Sequence, residues 1–361
     1  MAKIGVGIDI GHGSIKLVQI IKNHERLELN SYSKVILPTG LIDDSCMNIN
    51  QAIVLDSLRL AQAKVHLKQK KVIIAAPSNA VTLKQLKLPM VLGPELNEIL
   101  KLEVEKLLPY PLAEAVYDWD LIKQSRETGE MEVMVVASHL QAVTGMVESL
   151  RGAGLQPVVV DIQPFANIRS LKVEIERAGA DLGGVIILDI GANMTQMMMY
   201  YDSSLRATRI ITTAGNIITS AIAEQLQISN EKAEAIKCNL GDADYSSSEE
   251  DFESECYQAN QIIRKSLDEL VVEIKRSMEY FKLQFHGTAI NEIILTGGSS
   301  KLKNLPRFLG RELGLAVGLG DPLINLQINM KQTERAVLLS NPNQFAVAIG
   351  LALRGVETDE H

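Results

Sequence analysis

The hydrophobic pattern of this chain contains one design twice. Val6-Gly7-Ile8-Asp9-Ile10-Gly11-His12-Gly13-Ser14-Ile15-Lys16-Leu17-Val18 is an apolar run, then Asp-Ile-Gly, a short polar interval, a hydroxyl residue and a second apolar run. Val185-Ile186-Ile187-Leu188-Asp189-Ile190-Gly191-Ala192-Asn193-Met194-Thr195-Gln196-Met197 repeats it, and its aspartate lies 180 residues after the first. Each second run meets a turn signal, Lys22-Asn23-His24-Glu25 in one copy and Asp202-Ser203-Ser204 in the other. A third run follows, Leu27 to Ile36 and Leu205 to Thr212. Such spacing predicts strand, tight loop, strand, turn, strand in each copy.

Between the copies, a break at Pro38-Thr39-Gly40 precedes a helix over 48–65, and Val72 to Ala76 is a buried strand stopped by Pro77. Residues 80–160 read as an inserted module: a strand over 81–88, a helix from Gly93-Pro94 ended by Pro109, strands over 117–122 and 132–137, a helix over 140–150 and a strand over 158–161. The order makes a small α+β unit with helices on one face. Residues 162–178 are helical. After the second copy come helices over 217–226 and 231–237, an acidic Ser-rich stretch over 241–255 that reads as an exposed mobile loop, and a long amphipathic helix over 256–285. The strand Ile293-Ile294-Leu295-Thr296 feeds the turn Gly297-Gly298-Ser299-Ser300; helices follow from Pro306 and over 343–353.

Composition narrows the class. A chain of 361 residues accommodates two domains, each with its own core. A net charge of −8 argues against a general nucleic-acid binder, and no nucleic-acid partner is expected. Cys46, Cys238 and Cys256 show neither disulfide nor metal spacing, which fits a reducing cytoplasm. The first apolar run is broken at Asp9 and Lys16, unlike a secretory signal, and no run approaches the ~20 apolar residues that span a bilayer. The expectation is a cytosolic chain held to a membrane only through a partner.

Paired Asp-Ile-Gly loops suit a nucleoside triphosphate clamped between two lobes. Glycine lets backbone approach phosphate, successive N–H groups form an anion-binding nest, and a Ser or Thr hydroxyl adds a donor. An Asp at a strand end is placed to hold Mg²⁺ through waters, because Mg²⁺ dehydrates reluctantly. One Asp-x-Gly after a strand is ordinary turn chemistry. Two copies in the same context are harder to explain that way.

With the Thr296-Gly297-Gly298-Ser299-Ser300 turn in third place, the chain resembles the actin/Hsp70/sugar-kinase ATPase superfamily over nearly its whole length. Within it, the chain is similar to the PilM family of type IV pilus assembly proteins. The stretches that carry the match are Asp9 to Lys16, Leu107-Leu108-Pro109-Tyr110-Pro111-Leu112 with Tyr117-Asp118-Trp119, Asp189 to Thr195, and Gly350-Leu351-Ala352-Leu353-Arg354-Gly355. It departs at His12-Gly13, where the family often has small hydroxyl residues, and at Ala214-Gly215, where it often has two glycines. The resemblance implies an α/β, actin-like ATPase fold: two RNase H-like domains with an inserted α+β subdomain of the 1C type. Residues 1–79, 161–180 and 335–361 would form domain 1, 80–160 the insertion and 181–334 domain 2.

The resemblance also implies roles. Gly11, His12, Gly13 and Ser14 would cradle the β- and γ-phosphates of ATP, with Lys16 adding a cation; the plainer alternative for Lys16 is the exposed side of a strand. Asp9 and Asp189 would orient Mg²⁺ waters from opposite lobes. Gly191, Asn193 and Thr195 would form the second phosphate loop. Gly215 would start a helix facing the phosphates, or simply start a helix. Glu234 and Lys237, three apart, would touch ribose and adenine edges, though a solvated ion pair has the same spacing. Gly297, Gly298 and Ser299 would run against the base. Gln163 stands where actin places its water-orienting glutamine; a capping or surface role is the alternative.

The function implied is an ATP-binding scaffold on the cytoplasmic side of the inner-membrane pilus assembly complex. Its partner would be the N-terminal cytoplasmic peptide of PilN, held in a groove between subdomains 1A and 1C. ATP hydrolysis and a homo-oligomer are left open. The alternative is an FtsA-like polymerising ATPase. FtsA carries a C-terminal amphipathic membrane helix, for which Arg354 to His361 is too short and acidic. A sugar kinase would need a positioned Asp base and a sugar pocket, and neither has a motif here. Intact loops argue against a nucleotide-free homologue such as GspL.

Overall fold

Both triplets of apolar runs fold as antiparallel meanders. The computed structural model describes residues 2–38, 50–91, 93–179, 183–245, 254–285 and 288–357. Strands β1 (Lys3–Ile10), β2 (Ser14–Asn23) and β3 (Arg26–Ile36) form the first meander, followed by α1 (Gln51–Ala63) and β4 (Lys71–Ala76). Asn50 caps α1 by accepting from the Ile53 N–H. The strands read as near-continuous apolar runs because both sheet faces are covered. Ile8, Ile15 and Leu17 pack against Val54, Leu58 and Ala61 of α1. Val18, Ile20 and Leu29 pack against the chain's last helix, residues 346–357. A Cβ on Gly5 or Gly7 would stand 1.9 Å or 2.1 Å from carbonyl oxygens of Ala352 or Ala348, so the helix lies directly on backbone.

The insertion contains β5 (Val81–Pro89), α2 (Pro94–Leu107), β6 (Ala115–Ser125) and β7 (Glu130–His139). Its three strands are ordered β5-β7-β6, with Leu96, Leu100 and Val104 of α2 packed on Leu88, Met131, Val133 and Val135. The next two elements correct the sequence-based boundary at 160. Helix α3 (Leu140–Gly152) buries Met146 and Leu150 with α1, and β8 (Gln156–Ile162) pairs in parallel with β4. Both belong to the first domain. Their local pattern is indistinguishable from that of an α+β unit, since strand pairing is not local.

Residues 162–178, expected to be continuously helical, divide at Leu171 into α4 (Gln163–Ser170) and α5 (Lys172–Gly179). The second meander is β9 (Gly184–Ile190), β10 (Thr195–Tyr201) and β11 (Ser204–Ile211). Asp202 and Ser203 take φ of 50° and 56°, the left-handed pair that closes a two-residue hairpin. Then come α6 (Gly215–Leu226), α7 (Asn230–Leu240), α8 (Glu255–Gln284), β12 (Ile290–Thr296), α9 (Leu305–Leu313) and β13 (Ala316–Leu319). The five strands are ordered β11-β10-β9-β12-β13. Ile263, Leu267, Leu270 and Ile274 form the buried stripe of α8.

The chain returns earlier than the expected residue 335. Strand β14 (Gln327–Ile328) already pairs with β3, completing a sheet of order β14-β3-β2-β1-β4-β8. Helices α10 (Gln332–Ser340) and α11 (Ala346–Glu357) follow. Neither β13, β14 nor α10 was expected from the sequence. Two segments thus cross between lobes, α4–α5 and residues 320–326. No single described helix is long and apolar enough to cross a membrane; α10 and the segment Pro342–Glu357 together have the length and composition but bend by 93°. The expected break at Thr39-Gly40, the helix start at Asn48, Cys46, residues 246–253 of the acidic stretch and the tail from 358 lie outside the described residues.

Candidate functional site

Three tight loops at strand ends surround one cavity of about 740 Å³ between the sheets. In the first, the Gly11 N–H donates to the Ser14 carbonyl at 3.1 Å. In the second, the Gly191 N–H donates to Met194 at 2.9 Å, and Asn193 Oδ1 accepts from Asn216 at 2.6 Å. The third is Gly297, with φ of 89° and a position where a Cβ would stand 2.4 Å from Asp189 Oδ1. Only glycine fits there on both counts. Ser299 ties the third loop to the second by donating to the Gly191 carbonyl at 2.9 Å.

Sixteen of the seventeen candidate residues line this cavity: Asp9, Gly11, His12, Gly13, Ser14, Lys16, Gln163, Asp189, Gly191, Asn193, Gly215, Glu234, Lys237, Gly297, Gly298 and Ser299. Thr195 is the exception and a correction. It is fully buried, and its hydroxyl donates to the Thr213 carbonyl at 2.8 Å. Strand register explains the error. Asp9 pairs with Lys16 and Ile10 with Ile15; Asp189 pairs with Gln196 and Ile190 with Thr195. Thr195 therefore occupies the place of Ile15, and Gln196 that of Lys16.

The two aspartates have different company. Asp9 is 4% exposed and accepts from Lys16 Nζ at 2.8 Å, so Lys16 points into the cleft rather than along an exposed strand side. Asp189 accepts from Asn167 Nδ2 at 2.8 Å. Burial pushes its carboxyl above the usual range; the Asn167 hydrogen bond and Lys16 oppose this, and Asp9 adds to it.

Lys237 is 9% exposed, which excludes a solvated pair for its ammonium. It donates to the Gly215 carbonyl at 2.9 Å and to Thr219 Oγ1 at 2.8 Å, and stands 2.6 Å from Glu234 Oε2. Burial raises the Glu234 carboxyl, but hydrogen bonds from Lys237 and Thr219 outweigh it and hold the group below its ordinary value. Gln163 opens α4, and its Oε1 accepts from the Ser78 hydroxyl at 2.7 Å instead of capping the helix.

The sequence reading missed Asn167, Gln196, Asn343, Lys34 and Lys301, all on the cavity wall. Asn167 lies four residues after Gln163, one helical turn on, and that spacing was the available signal. The oxygen donors Asp9, Asp189 and the side-chain carbonyls of Asn167 and Gln196 suit Mg²⁺. Among the described residues no group of three or more His, Cys, Asp or Glu can hold a metal. The set therefore fits an ion that keeps its waters, not one caged directly by protein.

The model of the type IV pilus assembly protein PilM matches residues 7–356. The chain belongs to the PilM family. The structure resembles a solved PilM-PilN type IV pilus biogenesis complex with a TM-score of 0.84 and 29% identity over 98% of both chains. Two more distant structures show the same fold. They are ethanolamine utilization protein EutJ from Carboxydothermus hydrogenoformans (TM-score 0.57, 14% identity, 97% and 89% coverage) and MreB5 of Spiroplasma citri bound to AMPPNP (TM-score 0.52, 11% identity, 96% and 94% coverage). Cell division protein FtsA of Streptococcus pneumoniae is 23% identical over 356 residues, 89% of this chain and 77% of that one. The fold is thus that of the actin-like ATPases, and this member of the PilM family is an actin-like pilus assembly protein.

Proposed function

We propose that the cleft binds ATP with Mg²⁺, and that the occupied protein is the cytoplasmic scaffold that holds the N-terminal peptide of PilN at the inner membrane. The observation that carries the nucleotide reading is the pair of aspartate loops facing one cavity from opposite lobes. A cavity of about 740 Å³ is within the size range of small-molecule sites. The backbones of Gly11 to Ser14 and of Gly191 to Asn193 would hold the phosphates, with Lys16 adding charge. Glu234, kept ionised by Lys237, would accept from ribose hydroxyls, and Gly297 to Ser299 would lie against the base. Asp9 and Asp189 would hold the ion, which would supply positive charge to offset that of the phosphates.

Gln163 stands at the cleft end of α4 with its oxygen engaged by Ser78, which leaves the amide N–H₂ as the end that would orient a water. The partner reading is supported by the likeness to the solved PilM-PilN complex and by apolar side chains beside the insertion. Val158 and Val160 on the outermost strand β8, and Leu140 at the start of α3, are 52%, 41% and 45% exposed.

Isothermal titration tests the first half: Asp9→Ala and Asp189→Ala each weaken Mg-ATP binding by about tenfold or more. Unchanged affinity in both removes the site assignment. Co-purification with a PilN N-terminal peptide, with and without Mg-ATP, tests the second half. Equal capture by a Val158→Asp, Val160→Asp variant would move the partner elsewhere.

A further inference from the structure

Two buried amide oxygens near Asp189 have no donor among the described residues. Asn167 is fully buried and Gln196 is 5% exposed, both line the cleft, and among the described residues neither Asn167 Oδ1 nor Gln196 Oε1 has a hydrogen-bond partner. A carboxylate oxygen only accepts, so the bond at 2.8 Å to Asp189 Oδ2 commits the Asn167 amide nitrogen to that side. Its oxygen is then the atom left without a donor, on a residue that lines the cavity. Gln196 is the cross-strand partner of Asp189, so the two side chains leave the same face of the sheet.

Such oxygens are costly to bury without a donor. Phosphate cannot supply one, because its oxygens also only accept. The protons of metal-bound water can. Charge explains why amides stand here. Asp9 and Asp189 stand close enough for the charge of one to act on the other, the Lys16 ammonium bonds to Asp9, and a third carboxylate would add repulsion in a poorly hydrated site. Amides offer hard oxygen without charge.

We propose that Asn167 and Gln196 are positioning residues for a hydrated divalent cation, their side-chain oxygens accepting from its water shell on either side of Asp189. This rests on the nucleotide reading of the cleft. The expected magnitude is that of outer-shell partners in other metal sites, about tenfold in metal affinity for each.

The test is the ratio of ATP-analogue affinities in Mg²⁺ and in EDTA, measured by titration calorimetry on the full chain. Binding of Mn²⁺, followed by loss of the free-ion electron paramagnetic resonance signal, is the second readout. Asn167→Ala and Gln196→Ala each lower the Mg²⁺/EDTA ratio and raise the Mn²⁺ half-saturation by about tenfold. Thermal unfolding without ligand checks the fold; if Asn167→Ala does not fold, Gln196→Ala decides alone. Equal loss of affinity in Mg²⁺ and EDTA, with Mn²⁺ binding unchanged, would overturn the proposal. A wild-type chain that binds the analogue without any Mg²⁺ effect overturns it too, yet leaves the nucleotide reading standing. No binding in either buffer removes the nucleotide reading itself.

Discussion

The two aspartate loops share a meander and a spacing yet differ in the group set against the carboxylate. Counting from each aspartate, residue seven is Lys16 in one lobe and Gln196 in the other, and each is the cross-strand partner of its aspartate. Asp9 is therefore compensated within its own strand pair, while Asp189 has the neutral Gln196 as its cross-strand partner and a hydrogen bond from the Asn167 amide of α4. On the proposed reading, one hairpin would be the wall that tolerates phosphate and its counterpart the wall that attracts a cation. A fold built from two similar halves specialises by a single position in each.

The largest effect expected from breaking this asymmetry comes from Lys16→Met. It leaves Asp9 buried without its ammonium, next to a second uncompensated carboxylate. Removing one partner of a buried ion pair costs about 3 kcal/mol. Urea unfolding without nucleotide measures it, and a loss within error would mean that Lys16 serves only a ligand. The converse change, Gln196→Lys, sets an ammonium opposite Asp189 as Lys16 is set opposite Asp9. Mn²⁺ half-saturation then rises by up to about a hundredfold, since the new charge competes with the ion directly. An unaltered Mn²⁺ titration would place the cation in the other lobe.

Lys237→Met sharpens the comparison from outside the aspartate pair. Among the described residues its ammonium bonds to groups of α6 and α7, so its loss acts on Glu234 and the first turn of α6. Stability falls by about 1.5 kcal/mol, and the ratio of affinities in Mg²⁺ and EDTA is unchanged. A fall in that ratio comparable to that of Asn167→Ala would join the two ends of the cleft into one network.

Local pattern revealed the meanders, the stripe of α8 and the glycine turn, because period and turn chemistry are properties of neighbouring residues. It misled where pairing decides. Thr195 looked like the counterpart of Ser14 because both are hydroxyls after a glycine loop. Counted from the aspartates, Ser14 is residue five and Thr195 residue six, and one residue turns a side chain to the opposite sheet face. Strand β8 was assigned to the insertion because nothing local says which sheet it joins, and β14 is too short to leave a pattern. Asn167 was passed over because nothing local ties it to Asp189, its hydrogen-bond partner, which arrives from another element.

The smallest effect concerns how the differing halves are joined. Glu174 on α5 is 5% exposed, and its Oε1 accepts from the backbone N–H of Asp321, so a carboxyl group fastens one interlobe crossing to the other. Leu171 and Gly320 pack where the crossings meet. Burial holds the Glu174 carboxyl above its usual range; Asp321's charge adds to this, while the Asp321 N–H and Arg177 pull it back. A carboxyl raised in the folded state binds its proton more tightly there than in the unfolded chain. Its contribution is therefore complete below the unfolded value and is lost as pH rises through the folded one. Glu174→Gln keeps an acceptor for the Asp321 N–H and cannot ionise. Urea midpoints of the two proteins, measured from pH 4 to pH 8, should move in the variant's favour as pH rises. A difference that stays constant across that range would show that Glu174 ionises as freely in the folded protein as in the unfolded chain, and that pH does not act on the joint between the lobes through this residue.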